Sequence, residues 1–186
     1  MQYSSKLMAE YDRSDTLGKI DLILHHFSTF PSMIESSRRG LCYLVLYETD
    51  QKRHDPGALG VRVQSSGTSD PTAQKSIREI GILKAIETCD FSDLIDDKDM
   101  TIRFTMEAVM IRNMHEDYRL VKSQLGILNI SDREMLESYL TTGKQIKEIA
   151  DEQDLTYATT KQRIRRARHR IREQLYPYLE RKYNTL

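Results

Sequence analysis

The segment from Thr156 to Leu175 constrains this chain more than any other. Between Lys161 and Arg172 every second or third residue is basic, while Ile164, Ala167, Ile171 and Leu175 recur at helical spacing. One apolar stripe on an otherwise cationic helix can dock on a small core and leave the cations to meet phosphates. A basic helix that served only solubility would not need so regular a stripe.

The charge distribution points the same way. The 186 residues carry no net formal charge, yet residues 156–186 hold nine Lys/Arg against Glu173 and Glu180, a surplus of seven. Residues 1–155 therefore sum to −7. That asymmetry is the mark of a basic functional tail joined to a more acidic region. The acidic excess is densest from Glu87 to Asp99, where six carboxylates face one lysine.

The length allows one domain or two small ones, with enough chain to bury a core. Cys42 and Cys89 are the only cysteines, and neither has a Cys or His nearby at metal-ligand spacing. A reducing compartment fits better than a disulfide-built fold. The N-terminus lacks a basic start followed by an apolar core segment, and no apolar run approaches membrane-spanning length. The expectation is a soluble, cytoplasmic protein without a membrane contact.

With 30% charged residues, four prolines, eight glycines and few alternating β-branched runs, the composition predicts an all-α fold. Residues 1–18 are polar, an irregular or frayed helix. A helix from Lys19 to Phe30 is expected to stop at Pro31, followed by a second from about Ser32 to Thr49, weakened in the middle by Gly40. Pro56, Gly57, Gly60 and Gly67 mark residues 55–69 as a loop or linker. Asp70 and Pro71 open a helix through Ile77, Ile80, Leu83 and Ile86, the carboxylate capping free N–H groups and the proline suiting the first turn. A long helix over about 100–125 carries Ile102, Met106, Val109, Met110, Val121 and Leu125. Its spacing is not a strict heptad, so a core helix is preferred to an oligomer seam. Residues 1–125 are thus expected to form an N-terminal helical region for oligomerisation or partner binding, and 128–186 a separate domain.

In that C-terminal domain, Ser131-Asp132-Arg133-Glu134 has the form of a capping box. Met135, Leu136, Tyr139 and Leu140 make one helical face, ended by Thr141-Thr142-Gly143. Ile146, Ile149 and Ala150 dock a short second helix, Leu155 plugs the core from the following turn, and Thr156 is placed to cap the third helix. From Ile130 to Leu175 these residues resemble region 4 of bacterial sigma-70-type factors, carried by Ser131-Asp132-Arg133-Glu134, Ile146-Lys147-Glu148-Ile149-Ala150 and the segment Thr156–Leu175. The resemblance covers about a quarter of the chain and implies a DNA-binding helix-turn-helix. A shorter segment, Gly67 to Ile77, resembles the Ser-Asp-Pro-Thr-Ala sequence that precedes the helix-turn-helix in phage late-gene regulators of the RinA and ArpU kind. That likeness implies a phage or prophage transcription activator in a Gram-positive host. Two departures stand out: no region 2 pattern is visible in residues 1–125, and Thr160 replaces the usual apolar residue.

With Ile164 taken as the buried direction and 100° per residue, Ala158, Gln162, Arg165, Arg166 and His169 point away from the core, with Lys161 and Arg163 on the flanks. Tyr157, Ala158, Thr159 and Gln162 are the expected base readers, Gln bonding adenine and the small methyls meeting thymine. Arg165 suits guanine or phosphate. Lys161, Arg163, Arg166 and Arg168, with Thr142 and Lys144 before the second helix, suit phosphates. The resemblance implies DNA contact at Thr156, Tyr157, Ala158, Lys161 and Gln162. Against this, some arginines could simply pair with Glu134, Glu137 and Glu148.

Nothing catalytic is expected. His25-His26 are adjacent, so they face different sides of a helix and cannot chelate as an i, i+4 pair would. The cluster Asp90, Asp93, Asp96 and Asp97 lacks the glycine and closing glutamate of a calcium loop and suits a solvated helix cap. No phosphate-cradling glycine loop is present. No cofactor is called for. The expected partners are double-stranded DNA, bacterial RNA polymerase and further copies of the chain. The leading function is a sequence-specific transcriptional activator. The alternatives are a sigma-like polymerase subunit with a diverged region 2, a ring-forming packaging protein like a small terminase subunit, and an adaptor whose basic tail binds RNA or acidic proteins.

Overall fold

The computed structural model describes residues 2–53 and 71–184. Among them are eight α-helices, one 3-10 turn at Leu125–Ile127 and no strand, so the chain is all-α. The helices are α1 Gln2–Arg13, α2 Thr16–His25, α3 Phe30–Arg53, α4 Pro71–Thr88, α5 Lys98–Gln124, α6 Ile130–Thr141, α7 Ile146–Glu152 and α8 Tyr157–Asn184. None is long and apolar enough to cross a membrane. The loop expected over 55–69, the Asp70 cap and the Gly67–Asp70 part of the phage-regulator likeness lie outside the described residues.

Packing divides the chain into two compact units, one of the described residues 35–112, the other of residues 2–34 with those from 113 onward. The boundary drawn near residue 125 from composition therefore does not coincide with a boundary in packing. The first helices belong with the last ones.

The unit of residues 35–112 buries Leu41, Cys42 and Val45 of α3 with Ile82, Ala85 and Ile86 of α4 and Phe104, Ala108 and Ile111 of α5. Phe91 and Ile95, from the acidic turn, close this core, with the Phe91 ring 5.9 Å from that of Phe104. The carboxylates of the turn serve local structure: Asp97 accepts from the backbone N–H groups of Asp99 and Met100, capping α5, and Asp90 accepts from Ser92. Of the apolar residues that helix α4 runs through, Ile86 is buried, whereas Ile77 and Ile80 are 68% and 67% exposed. Ile102 and Met106 of α5 are likewise on the surface. Isoleucine spacing alone did not identify the buried face, which falls on Ile82, Ala85 and Ile86.

In the second unit, Pro31 begins a helix rather than ending one. The chain leaves α2 at His25, turns through residues 26–29, where Phe30 and Thr29 both donate to the His26 carbonyl, and enters α3 with Pro31 in its first turn. A proline is tolerated there because its missing N–H would have no helical partner anyway. α3 then runs through Gly40, where an added Cβ would meet nothing within 4 Å.

α1, α2 and the C-terminal end of α5 pack with α8 around one buried polar cluster. Asp117 of α5 is fully buried. Its carboxylate accepts from the Tyr11 hydroxyl at 2.5 Å, the Tyr183 hydroxyl at 2.7 Å and the Lys182 ammonium at 2.9 Å. Lys19 of α2 sits over both phenol rings, 5.3 Å from that of Tyr11 and 4.7 Å from that of Tyr183, and donates to the Ser14 carbonyl. Burial first, and then the Asp117 charge, push the Tyr11 phenol well above its usual range, so it stays a donor at any working pH. Burial also raises Tyr183 and lowers Lys19. A buried carboxylate is tolerable only with its lone pairs satisfied, and three side chains from two other helices do so here.

Removing that carboxylate takes the shared acceptor from two hydroxyls, which keep only each other, and leaves Lys182 with Glu116 alone. Asp117→Ala should therefore lower the stability of this unit by about 3–5 kcal/mol, whereas Tyr183→Phe, which deletes one donor, should cost about 1–2 kcal/mol. Urea unfolding followed by far-ultraviolet circular dichroism checks both; equal, small losses would show the cluster to be peripheral.

Candidate nucleic-acid interface

α6, α7 and α8 form a three-helix arrangement in which α8 packs on both shorter helices. α8 contributes the buried stripe Thr160, Ile164, Ala167, Ile171, Leu175 and Leu179, and the helices it packs on bury Met135, Leu136 and Leu140 of α6 and Ile149 and Ala150 of α7. Each such side chain moved out of water is worth roughly 1.5–3 kcal/mol for the larger aliphatics, so the docked stripe fixes which side of α8 faces out.

Turn chemistry sets the angles between the helices. After α6, Gly143 takes a left-handed conformation (φ 70°), which glycine adopts without a Cβ penalty. After α7 the chain turns through Asp154 at φ 52°, and the Leu155 N–H returns to the Ala150 carbonyl at 2.9 Å. This is a Schellman-type ending made with an aspartate in place of the usual glycine. Leu155 is half-buried, in keeping with its expected place under the turn. Thr156 caps α8 as expected, accepting from the Thr159 N–H at 3.2 Å. Thr160, in place of the usual apolar residue, is fully buried, and its hydroxyl donates to the Thr156 carbonyl at 3.1 Å.

The cap of α6 differs from the expected capping box. Asn129, not Ser131, occupies the cap, accepting from the Asp132 N–H at 2.8 Å and donating to the Asp132 carboxylate. The reciprocal glutamate contact occurs one helix later, where Glu148 accepts from the Gln145 N–H at 2.7 Å. Ser131 and Asp132 also meet α8. The Arg163 guanidinium donates to Asp132 at 2.8 Å and to the Ser131 hydroxyl at 2.8 Å.

Arg163 is therefore a clasp between α8 and the start of α6 and not a free phosphate ligand. Burial works to raise the Asp132 carboxyl, but the bonds from Arg163 and Asn129 and the guanidinium charge outweigh it and hold the group below its usual range. The other candidates fall into distinct positions. Tyr157, Ala158, Thr159, Lys161, Gln162, Arg165 and Arg166 are exposed at the start of α8, and Arg168 is half-buried. The Thr159 hydroxyl is shared with that of Thr156 at 2.9 Å. Lys161 lies 5.9 Å from the Tyr157 ring centroid. Thr142 and Lys144 sit in the turn between α6 and α7, where the Thr142 hydroxyl donates to the Ser138 carbonyl and Lys144 pairs with Glu152 at 2.5 Å.

Two flanks of α8 carry cations. On one, Thr159, Gln162, Arg166 and Arg170 line a groove of about 380 Å³ beside Asp132 and Arg163. On the other, Lys161, Arg165, Arg168 and Arg172 line a cleft of about 910 Å³ facing α2. Arg170 and Arg172 were missed as site residues, although both follow from the helical period that places 166 with 170 and 168 with 172. His169 lies 3.2 Å from Glu173, and Arg172 pairs with Asp21 of α2 at 3.0 Å. No group of three or more His, Cys, Asp or Glu that could hold a metal occurs among the described residues.

The Arg163–Asp132 clasp has a pH signature. Because the folded-state Asp132 is held low, its contribution is complete above the ordinary carboxyl value of about 4 and is lost as the pH falls through the folded value below it. Arg163→Met should thus cost about 1–2 kcal/mol at pH 7 and progressively less toward pH 3, while Arg166→Ala stays within about 0.5 kcal/mol. Urea midpoints at the two pH values test this; a loss independent of pH would mean that packing, and not the charge pair, carries the contribution.

Comparison with family models, with curated proteins and with solved structures found no match to this chain.

Proposed function

We propose that this chain is a sequence-specific DNA-binding transcriptional regulator, an activator of the phage late-gene type, that reads the major groove with the N-terminal half of α8. The observation that carries this reading is the single helix α8, buried along one stripe and cationic on its other faces, held on two short helices by turns of helix-turn-helix form. A helix so mounted presents Tyr157, Ala158 and Gln162 to base edges and Lys161, Arg165, Arg166 and Arg168 to phosphates. It acts by binding and needs no cofactor for that role. One such domain covers few base pairs, so useful affinity calls for a second copy of the chain or for bacterial RNA polymerase on the same DNA. A bacterial cytoplasm is the place where those partners meet.

Selection of duplexes from a randomised pool on the full chain, followed by footprinting with and without core RNA polymerase, tests the proposal. Gln162→Ala should weaken binding to the selected duplex by about 5- to 150-fold and relax preference at one position. Arg166→Ala should weaken all duplexes alike and reduce the salt slope by about one. Enrichment of no sequence would overturn sequence-specific binding and favour an adaptor. Protection that requires core polymerase would make the chain sigma-like, and a closed ring of many copies on a single site would make it a packaging protein.

A further inference from the structure

A cleft of about 910 Å³ lies between α2 and α8 in the second unit. Lys161, Arg165, Arg168 and Arg172, at i, i+4, i+7 and i+11 of one helix, line it on the α8 side together with Ile164, Tyr139 and Ile146. At 1.5 Å rise per residue this row is about 16 Å long, enough to face several successive phosphates of one strand, which are about 3.4 Å apart along the duplex axis. Compact anions need no such length. The opposite wall comes from α1 and α2: Glu10, Ser14, Gly18, Asp21, Leu22 and His25, with His26 just beyond α2. Only Arg172 of the row is matched by a carboxylate, Asp21. Lys161, Arg165 and Arg168 face the open volume of the cleft without an ion pair among the described residues.

We propose that the α2–α8 cleft grips one phosphodiester strand of the bound duplex, so that α2 is a second wall of the DNA interface. The juxtaposition that carries the proposal is the row of four cations, three of them without an ion pair among the described residues, facing His25 and His26 across a cleft of about 910 Å³. The two imidazoles meet edge-on, with centroids 4.7 Å apart. Burial, with His25 beside it, lowers His26, and a neutral imidazole still offers an N–H to a phosphate oxygen. The Asp21–Arg172 pair holds α2 alongside the deep end of the row, which fixes the distance between the walls. The inference rests on the DNA-binding reading but does not follow from it, because a helix-turn-helix alone needs no second wall.

The test uses the full chain and the duplex recovered by selection. A benzoyl-phenylalanine in place of His25 should cross-link, under ultraviolet light, to one strand within the footprint; the same probe in place of the exposed Tyr178 should not. His25→Glu should weaken the duplex on the order of tenfold, because a charge that repels phosphate then lines the channel, and Arg168→Ala should lower the salt slope by about one. Helix content by circular dichroism identifies any variant that fails to fold, and the cross-link is then the deciding measurement. A normal footprint without a cross-link from position 25 would overturn the channel and leave the regulator reading standing. Tighter binding on Asp21→Ala, with no cross-link, would make α2 a displaceable cover and also overturn it. Failure of the wild-type chain to retain any duplex would overturn both.

Discussion

The carboxylate of Asp117 is the constraint on which the unit containing α8 depends. It is buried without solvent, and an isolated charge in that position would be too costly to keep. Tyr11 comes from α1, Lys182 and Tyr183 from the end of α8, and Asp117 from the far end of α5. A group that must be satisfied by three side chains from helices far apart in sequence pins those helices to one arrangement. Apolar packing alone would tolerate sliding along the α8 stripe, since one leucine or isoleucine can replace another at modest cost. Hydrogen-bond geometry around one oxygen pair does not.

Fixing the C-terminal end of α8 has a consequence at its other end, because the helix is continuous from Tyr157 to Asn184. The same stripe that runs from Thr160 to Leu179 docks first on α6 and α7 and then beside α1 and α2. Rotation about the helix axis is therefore set twice, by the short helices near Ile164 and by the Asp117 cluster near Lys182. Side chains at 158, 162 and 165 inherit that fixed direction. Holding a site on a rigid element is what makes its geometry reproducible, and a long helix anchored at both ends serves that purpose better than a loop.

Much of this was legible in the sequence, for a physical reason: α8 has a strict 3.6-residue period with one apolar face, so Ile164, Ala167, Ile171 and Leu175 were assigned to the core from spacing alone. The Thr156 cap was legible because its partner is three residues away. Misassignments came where two local choices competed. Asn129 and Ser131 can both cap a helix, and the structure uses Asn129, whose amide shares the Asp132 carboxylate with Arg163. Pro31 can end one helix or begin the next, and it begins one. In α4, the period through Ile77, Ile80, Leu83 and Ile86 is buried only at its C-terminal end, since spacing does not say which neighbour covers each turn. The grouping of residues 2–34 with the C-terminal helices was not legible at all. It depends on partners more than 100 residues apart, such as Tyr11 and Asp117 (separation 106), for which a single sequence carries no local signal.

How strongly α8 can bind a polyanion depends on which of its cations are available, not on how many it has. Nine Lys/Arg follow Thr156. Arg163 is committed to Asp132, Arg172 to Asp21, and Lys182 to Glu116 and Asp117. The available set near the N-terminal half is then Lys161, Arg165, Arg166, Arg168 and Arg170, which face carboxylates at no ion-pairing distance among the described residues. Each neutralised phosphate contributes a salt slope of about −0.9, so these five cations together support a slope of about −4.5. The five also divide between two flanks, with Arg166 and Arg170 on one and Lys161, Arg165 and Arg168 on the other. A helix seated in a groove meets a backbone on each side, and a division of cations between flanks is what two strands require. The committed arginines work differently: Arg163 and Arg172 hold α6 and α2 against α8.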